Sequence, residues 1–212
     1  MTVQILIPVN RLDRAKGRLA AYLSGTERRE LALATLETVL DACLAHRHSH
    51  GAQITVLTAG DSLAPYLAPD IGIIHEDPAL QGLNSQLEAA VAALPGDELL
   101  IIHADLPLLT PAAISFLVDL EAPAPSIVIS PSGDGGTNAM LLRPPGRFPL
   151  AYGAASAQKH RDAAHAAGIT VVEAPHPAIN LDLDTPDDIA RLLALPGGRE
   201  TPAGRLLTRF GR

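Results

Sequence analysis

The stretch LLIIHADLP, residues 99–107, joins an uninterrupted apolar run to an acidic turn. An apolar run without polar alternation is typical of a strand buried on both faces, as at the centre of a parallel sheet. Further apolar runs alternate with segments of helical periodicity along the rest of the chain. This alternation predicts an α/β fold, with a mostly parallel sheet covered by helices on both faces.

The expected elements can be placed from periodicity and capping signals. Apolar runs predict strands at residues 4–9, 53–57, 71–75, 99–103, 127–130, 138–143 and 170–173. Helices are predicted at residues 26–45, 62–67, 84–94, 156–168 and 187–195, with one more beginning at Thr110-Pro111. The length fits one domain over residues 1–195, followed by a flexible tail at residues 196–212, for which a dimer contact is the second interpretation.

Composition narrows the class of protein. The net charge of −7 argues against a general binder of nucleic acid or of membrane surfaces. The chain shows no signal-peptide pattern and no apolar stretch near the roughly 20 residues of a membrane span, so a cytoplasmic location is expected. The single cysteine, Cys43, is expected to be a buried apolar residue. His46, His48 and His50 are expected at a solvated helix end, since their alternate spacing does not favour a metal site.

Three aspartates are the strongest candidates for chemistry. Asp182 and Asp184 have the i, i+2 spacing that places side chains on one side of an extended segment, and Asp105 follows a strand. Converging carboxylates repel one another unless a cation lies between them, and hard oxygen ligands suit Mg²⁺. The alternative is a purely structural role, in which Asp105 begins a turn and Asp184 or Thr185 caps a helix, but this leaves Asp182 unexplained.

A basic loop follows the first predicted strand. It carries Arg11, Arg14, Lys16 and Arg18, with Asp13 as the only acidic residue among them. Ligands of open α/β sheets bind beyond the carboxyl ends of the strands, so the loop is well placed to meet phosphate oxygens. A solvated basic loop remains the alternative. The chain has no Walker sequence and no G-x-G-x-x-G after the first strand, so neither of those nucleotide-binding motifs applies.

Two later segments favour an anion site. Residues 133–138 form a Gly-rich loop, and Ser156 is expected to cap the helix that follows Tyr152-Gly153. Glycines let backbone amides approach an anion, and a helix start offers free N–H groups. An ordinary turn and an ordinary cap are the alternatives.

These segments together resemble the 2-phospho-L-lactate guanylyltransferases of coenzyme F420 biosynthesis, including bacterial relatives that use phosphoenolpyruvate or 3-phosphoglycerate. The resemblance covers about residues 3–195. Its motifs here are Ile7-Pro8-Val9, Ala15-Lys16-Gly17-Arg18-Leu19, Gly82-Leu83-Asn84, Ala104-Asp105-Leu106-Pro107-Leu108-Leu109, Gly135-Gly136-Thr137-Asn138-Ala139, Tyr152-Gly153 with Ser156 and His160, and Leu181-Asp182-Leu183-Asp184-Thr185-Pro186. The resemblance implies a Rossmann-like nucleotidyltransferase fold of the GT-A type.

The resemblance also implies the roles of individual residues. Mg²⁺ would be held by Asp105, Asp182 and Asp184. GTP would be bound by Pro8, Arg11, Lys16, Arg18, Gly82 and Asn84, with Lys16 and Arg18 on the phosphates and Gly82 and Asn84 near the base or ribose. The catalytic groups would be Lys16, Arg18 and Asp105. Thr137, Gly153 and Ser156 would bind the carboxylate of the acceptor through backbone amides.

The reaction implied is transfer of GMP from GTP to a small phosphorylated carboxylic acid with release of pyrophosphate, coupled to the downstream transferase of the F420 pathway. Two departures from the family pattern concern the substrates. Asn10 stands where many relatives have Lys, so one phosphate contact is lost or supplied by Arg11. Ala157 stands where many have Phe, which favours a roomier pocket for phosphoenolpyruvate or 3-phosphoglycerate.

Two other functions stay open at this point. One is a different nucleotidyltransferase of the same fold, such as a molybdopterin guanylyltransferase or a sugar-phosphate nucleotidylyltransferase. Those enzymes usually carry a Gly-rich segment after the first strand, where this chain has Pro8-Val9-Asn10-Arg11-Leu12. The other is a non-catalytic nucleotide-binding protein, since a fold alone does not confer activity.

Overall fold

The structure, a computed structural model, describes residues 3–12 and 15–212. Its strands are β1 (Val3–Val9), β2 (Ala52–Thr58), β3 (Gly72–His75), β4 (Leu99–Ile102), β5 (Ser126–Pro131), β6 (Thr137–Arg143) and β7 (Thr170–Glu173). Its α-helices are α1 (Gly25–His50), α2 (Gly82–Ala93), α3 (Pro111–Val118), α4 (Ser156–Ala166), α5 (Pro186–Ala194) and α6 (Pro202–Arg209). Short 3₁₀ helices lie at Gly17–Leu19 and Asp61–Tyr66.

The seven strands form one mixed sheet in the order β3-β2-β1-β4-β6-β5-β7. β1 runs parallel to both β2 and β4, whereas β6 runs antiparallel to β4 and to β5. All four residues of β4 are buried, as expected for a strand at the centre of the sheet. The predicted α/β class is therefore confirmed. β4 lies at the end of the parallel group β3-β2-β1-β4 and is the strand that pairs with the antiparallel β6.

Helices cover both faces of the sheet, which confirms the expected layering. Alternate residues of β1 point to opposite sides, so Ile5 packs in the apolar cluster with α1 and α3, and Leu6 in the cluster with α2 and α4. Cys43 is fully buried in the first cluster, and this burial raises the pKa of its thiol to about 12. Apolar packing thus holds both faces of the sheet, and polar side chains lie at the ends of its strands.

Helix α1 is longer at both ends than predicted. Its N-cap is Ser24 rather than a residue at 26, because Ser24 and Glu27 form a reciprocal capping box. At the other end His46 is buried and lies 3.0 Å from Ser115 Oγ, so the expectation of a solvated site was wrong for this histidine. His48 and His50 are exposed. No helix in the described ranges, 3–12 and 15–212, is long and apolar enough to cross a membrane.

Residues 202–209 form α6 where a flexible tail was expected. Leu207 of α6 is fully buried in an apolar cluster with Leu31 of α1 and Leu192 of α5. The helix approaches so closely that a Cβ on Gly204 would lie 2.0 Å from the carbonyl oxygen of Gly198. Apolar burial and a glycine at the closest approach therefore hold this segment against the domain.

Candidate active site

The candidate site lies at the carboxyl ends of β1 and β4, where three polypeptide segments meet. Asp105 follows β4, Lys16 follows β1, and Asp182 and Asp184 precede α5. The segments are joined directly, since the backbone N–H of Leu183 donates to the Asp105 carbonyl at 3.1 Å. The location agrees with the general position of ligands in open α/β sheets.

The three aspartates come together across almost 80 residues of sequence. One carboxylate oxygen from each of Asp105, Asp182 and Asp184 lies within 4.8 Å of the others. Leu181 and Leu183 are buried in the cluster under α5 and α6, so the alternating aspartates face the opposite side. Asp182 and Asp184 therefore lie on one side of an extended segment, as their i, i+2 spacing predicts, and Asp105 meets them from the end of β4.

Lys16 lies between two of these carboxylates. Its Nζ is 3.0 Å from Asp105 Oδ2 and 3.2 Å from Asp184 Oδ1, and its side chain is only 5% exposed. Burial alone would lower the pKa of Lys16, but Asp105 and Asp184 together hold it above its ordinary value. Lys16 also has a left-handed backbone, with φ 54° and ψ 43°, which is uncommon outside glycine and directs its side chain into the site.

The carboxylates differ in their electrostatic environments. Burial would raise the pKa of Asp105, but the adjacent Lys16 ammonium, with smaller contributions from His103 and hydrogen bonds, lowers it. The pKa of Asp182 is raised, first by burial and then by the charge of Asp105. Asp182 receives one hydrogen bond of 3.3 Å from Asn138 Nδ2, whose other bond goes to the Ile179 carbonyl. Asp182 thus carries repulsion that Lys16 does not relieve.

The donor set fits a divalent cation. Asp105 Oδ1 is buried and has no hydrogen-bond partner in the part of the chain that the structure describes. A buried carboxylate oxygen without a partner is costly, and a metal ion would satisfy it. Three carboxylates and no sulfur or imidazole ligand in the group favour a hard cation of the Mg²⁺ kind.

The other residues of the predicted nucleotide site lie at different positions around this cluster. Pro8 and Asn10 line the pocket in front of Lys16 and Asp105. Arg11 is exposed at the end of β1. Arg14, together with Asp13, lies outside the described residues.

Arg18 is exposed on the first 3₁₀ helix. Its charge contributes to lowering the pKa of Asp134, after the larger effect of a hydrogen bond from the Ser132 hydroxyl. The structure therefore brings Lys16, but not Arg18, into contact with the acidic cluster.

Gly82 and Asn84 lie at the first turn of α2. Gly82 is exposed and has φ 81°, a left-handed conformation that favours glycine. Asn84 Oδ1 accepts from the Tyr152 backbone N–H at 2.8 Å, and its Nδ2 donates to the Tyr152 carbonyl at 3.1 Å. Asn84 thus clamps the Tyr152–Gly153 segment, and Leu83 is the α2 residue that lines the pocket.

Thr137 and Ser156 meet behind the Gly-rich loop, with their hydroxyl oxygens 3.1 Å apart. Ser156 is the first residue of α4 and not its N-cap as expected, because Ala155 takes the cap position with a left-handed backbone. The Ser156 amide donates to the Gly153 carbonyl at 3.1 Å, and the Ala157 amide to the Gly135 carbonyl at 3.2 Å. The Ser156 amide is therefore already engaged and is not free to bind an acceptor in the way that the resemblance implies.

Four polar residues of this region were not assigned a role from the sequence. Asn138 donates to Asp182, and the Tyr152 ring lies between those of His103 and His160, with ring centroids 5.3 Å and 5.0 Å apart. A signal existed for two of them: His103 is two residues before Asp105, and His160 is four after Ser156 on the same helical face. Asn138 and Tyr152 stand in the quoted motifs beside Thr137 and Gly153, but their partners Asp182 and Asn84 are distant in the sequence and could not be foreseen.

The chain is similar to guanylyl transferases over most of its length. The family model of CofC-like guanylyl transferases matches residues 3–210. A phosphoenolpyruvate guanylyltransferase from Rubrobacter xylanophilus is 34% identical over 215 residues, covering 95% of this chain and 98% of that protein. A 2-phospho-L-lactate guanylyltransferase from Haloarcula marismortui is 34% identical over 191 residues, covering 90% of this chain and 85% of that protein.

A solved structure supports the fold independently. A crystal structure from Desulfovibrio desulfuricans G20, described as that of a candidate nucleotide-diphospho-sugar transferase, superposes with a TM-score of 0.78. The match covers 100% of this chain and 96% of that chain at 17% identity, so it bears on the fold alone. Family and fold agree, and the chain belongs to the CofC-like guanylyl transferases.

Proposed function

We propose that this protein transfers GMP from GTP to a three-carbon phosphorylated carboxylic acid, with phosphoenolpyruvate as the first candidate, and releases pyrophosphate. The observation that carries the proposal is the convergence of Asp105, Asp182 and Asp184 around Lys16. Such a cluster suits a reaction in which negative charge must be aligned and neutralised. The names of the relatives from Rubrobacter and Haloarcula support a guanylyl donor and a small phosphorylated acid.

The proposed transfer of GMP needs no strong general base. A phosphate oxygen of the acceptor attacks the α-phosphorus of GTP in line, the bond from that phosphorus to the bridging oxygen breaks, and pyrophosphate leaves. The attacking oxygen is already ionised near neutral pH, so catalysis rests on alignment and on charge neutralisation. Asp105, Asp182 and Asp184 would hold Mg²⁺, which supplies positive charge against the phosphate oxygens when bound.

Lys16 would carry the protein's own positive charge in this step. Its Nζ is already held at the site by two carboxylates and needs no long movement to meet phosphate oxygens. Thr137 and Ser156 would hold the acceptor carboxylate through their hydroxyl groups, and Thr137 directly precedes Asn138, whose side chain contacts Asp182.

The acceptor is proposed from its chemistry and from the relatives. Phosphoenolpyruvate, 2-phospho-L-lactate and 3-phosphoglycerate each carry a carboxylate and a phosphate on three carbons, and pocket shape decides among them. Ala157, which was expected to enlarge the pocket, is buried in the apolar cluster beneath α4. The preference for phosphoenolpyruvate therefore rests on the relatives' names, and the product would feed the deazaflavin transferase of the F420 pathway.

The test is a substrate panel with purified protein. Each of the three acids is combined with GTP, ATP or CTP and Mg²⁺, and pyrophosphate release is followed with a coupled assay. We expect turnover with GTP and phosphoenolpyruvate above the other pairs, and product transfer when the deazaflavin enzyme is added. Pyrophosphate release that requires no acceptor, or no release with any of the three acids, would contradict the proposal.

A further inference from the structure

A buried histidine lies directly behind the Thr137–Ser156 hydroxyl pair. His160 is fully buried, and its Nδ1 is 3.0 Å from Thr137 Oγ1. Its other ring nitrogen, Nε2, accepts a hydrogen bond of 3.0 Å from the backbone N–H of Ala151. The rings of Phe148 and Tyr152 lie against it, with centroids 5.7 Å and 5.0 Å away, so the imidazole is enclosed on its sides as well.

These contacts fix the position of the imidazole proton. A backbone N–H can only donate, so Nε2 must present a lone pair to Ala151. The imidazole is neutral at physiological pH, because burial, followed by the charges of His103 and Lys159, lowers the pKa of His160 to about 4. A neutral ring with an unprotonated Nε2 carries its proton on Nδ1, and this proton is donated to Thr137 Oγ1.

The tautomer decides what the hydroxyl pair offers to a ligand. With Nδ1 donating, the two hydroxyls contribute two protons, and at most one is used in the bond between Thr137 and Ser156. The second proton has no partner among the residues that the structure describes. With the opposite tautomer, Ser156 would donate to Thr137 and Thr137 to His160, and no proton would remain.

We propose that His160 is a positioning residue that keeps one hydroxyl donor of the Thr137–Ser156 pair free for an anionic oxygen of the acceptor. A hydroxyl donating to a carboxylate makes a charge-assisted hydrogen bond, which is stronger than a bond between neutral groups. His160 itself touches no substrate and acts through Thr137. The inference rests on the proposed function for the identity of the ligand, but the tautomer does not depend on that function.

Two substitutions separate the two ring nitrogens. In His160→Asn, the amide nitrogen can occupy the position of Nδ1 and still donate to Thr137. In His160→Gln, the amide oxygen can occupy the position of Nε2 and accept from Ala151, but the donor to Thr137 is lost. His165→Asn is the matched control, because His165 is exposed on the same helix, five residues further on.

Steady-state kinetics with GTP and phosphoenolpyruvate gives the first readout. We expect His160→Gln to raise the KM for phosphoenolpyruvate about tenfold, His160→Asn to raise it by less than about threefold, and neither to change the KM for GTP. The control should match the wild type. Equal effects of Asn and Gln, or parallel changes in the KM of both substrates, would overturn the positioning role and indicate a structural one.

The second readout is independent of turnover. Long-range ¹⁵N–¹H correlation spectra of the wild-type protein, with His160 assigned by its loss in His160→Asn, report which ring nitrogen carries the proton. We expect the Nδ1–H tautomer throughout pH 6–8, and a shift of the His160 signals when phosphoenolpyruvate is added. An Nε2–H tautomer would overturn the inference, whereas the Nδ1–H tautomer in a protein without any turnover would count against the proposed function alone.

Discussion

The same substitution at two members of the acidic cluster should change stability in opposite directions. Asp182→Asn and Asp105→Asn each remove one negative charge and keep the shape of the side chain. Asp105 is paired with Lys16, whereas Asp182 receives a single bond from Asn138 and faces the other two carboxylates. In metal-free protein we expect Asp182→Asn to stabilise and Asp105→Asn to destabilise, although both remove activity.

The magnitude for Asp182 follows from the spacing of the carboxylates. Two unit charges at the 4.8 Å limit repel by about 3.5 kcal/mol at an effective dielectric constant of about 20. Solvent screens this repulsion, because Asp182 is partly exposed. We therefore expect a net stabilisation of about 1 kcal/mol, or about 2–4 °C in Tm for a domain of this size. The Asn138 bond becomes weaker but is not lost, because an asparagine oxygen still accepts although it carries no charge.

The sign of the pH dependence follows from the raised pKa of Asp182. A carboxyl whose pKa is higher in the folded state binds its proton more tightly when folded, so its destabilising effect is absent below the unfolded pKa of about 3.9. The effect grows as the pH rises through the folded pKa and is complete above it. The advantage of Asp182→Asn should therefore be largest near pH 8 and shrink as the pH falls toward 4.

Asp105→Asn should behave in the opposite way. It leaves the buried Lys16 ammonium with Asp184 as its remaining carboxylate in contact, at 3.2 Å. Removing one partner of a buried ion pair costs about 3–5 kcal/mol, and the remaining contact reduces this to about 2 kcal/mol. Because Lys16 lowers the pKa of Asp105, the stability that this carboxyl contributes is present above its unfolded pKa and is lost as the pH falls through its folded pKa.

The assay is thermal and urea unfolding in the presence of a chelator, at several pH values between 4.5 and 8. Asp187→Asn serves as the control, since Asp187 is exposed in the first turn of α5 and lies outside the cluster. Activity with Mg²⁺ should fall at least about a hundredfold in both cluster variants and little in the control. If Asp182→Asn destabilises the protein as much as Asp105→Asn, or keeps activity within threefold of wild type, the account of the cluster is wrong.

Three further substitutions test other parts of the structure. Leu207→Ala should cost about 2–5 kcal/mol in urea unfolding, because Leu207 is fully buried, and an unchanged midpoint would mean that α6 does not pack on the domain. Gly136→Ala should raise the KM of the acceptor about tenfold, since its Cβ would lie 2.6 Å from Ser132 Oγ and shift the loop; an unchanged KM would separate the loop from the acceptor site. Tyr152→Phe should leave the stability of the protein unchanged or raise it by up to about 1 kcal/mol, because the Tyr152 hydroxyl is buried and has no hydrogen-bond partner in the described chain. A clear loss of stability would show that the hydroxyl does make a hydrogen bond.

The class of fold could be predicted because its signals are local. An all-apolar β4 and the alternation of strands with helices follow from residues that are neighbours in sequence. The pairing of Asp182 with Asp184 was equally accessible, because Leu181 and Leu183 alternate with them and are buried. These predictions needed only the geometry of an extended chain.

The features that could not be predicted depend on contacts between distant segments. Helix α6 was missed although it has the length and the Thr-Pro start of α3, because its place in the domain depends on packing against α1, far away in the sequence. Asn84 was expected at the nucleotide, yet its amide is used on Tyr152, 68 residues away. The residue type determines which hydrogen bonds an amide side chain is able to make. Which partner it bonds to depends on the fold.

The charges of the cluster explain why a lysine with a strained backbone is placed there. Three ionised carboxylates and one ammonium leave a net charge of −2 in a partly buried site, and the raised pKa of Asp182 records the repulsion that remains. Without Lys16 the folded protein would hold three neighbouring, partly buried carboxylates with no positive charge from the described residues in contact with them, which is costly. The left-handed backbone of Lys16 costs about 1 kcal/mol, which is small beside that penalty. The strain at Lys16 is therefore tolerated because it lets the acidic cluster assemble before any ligand is bound.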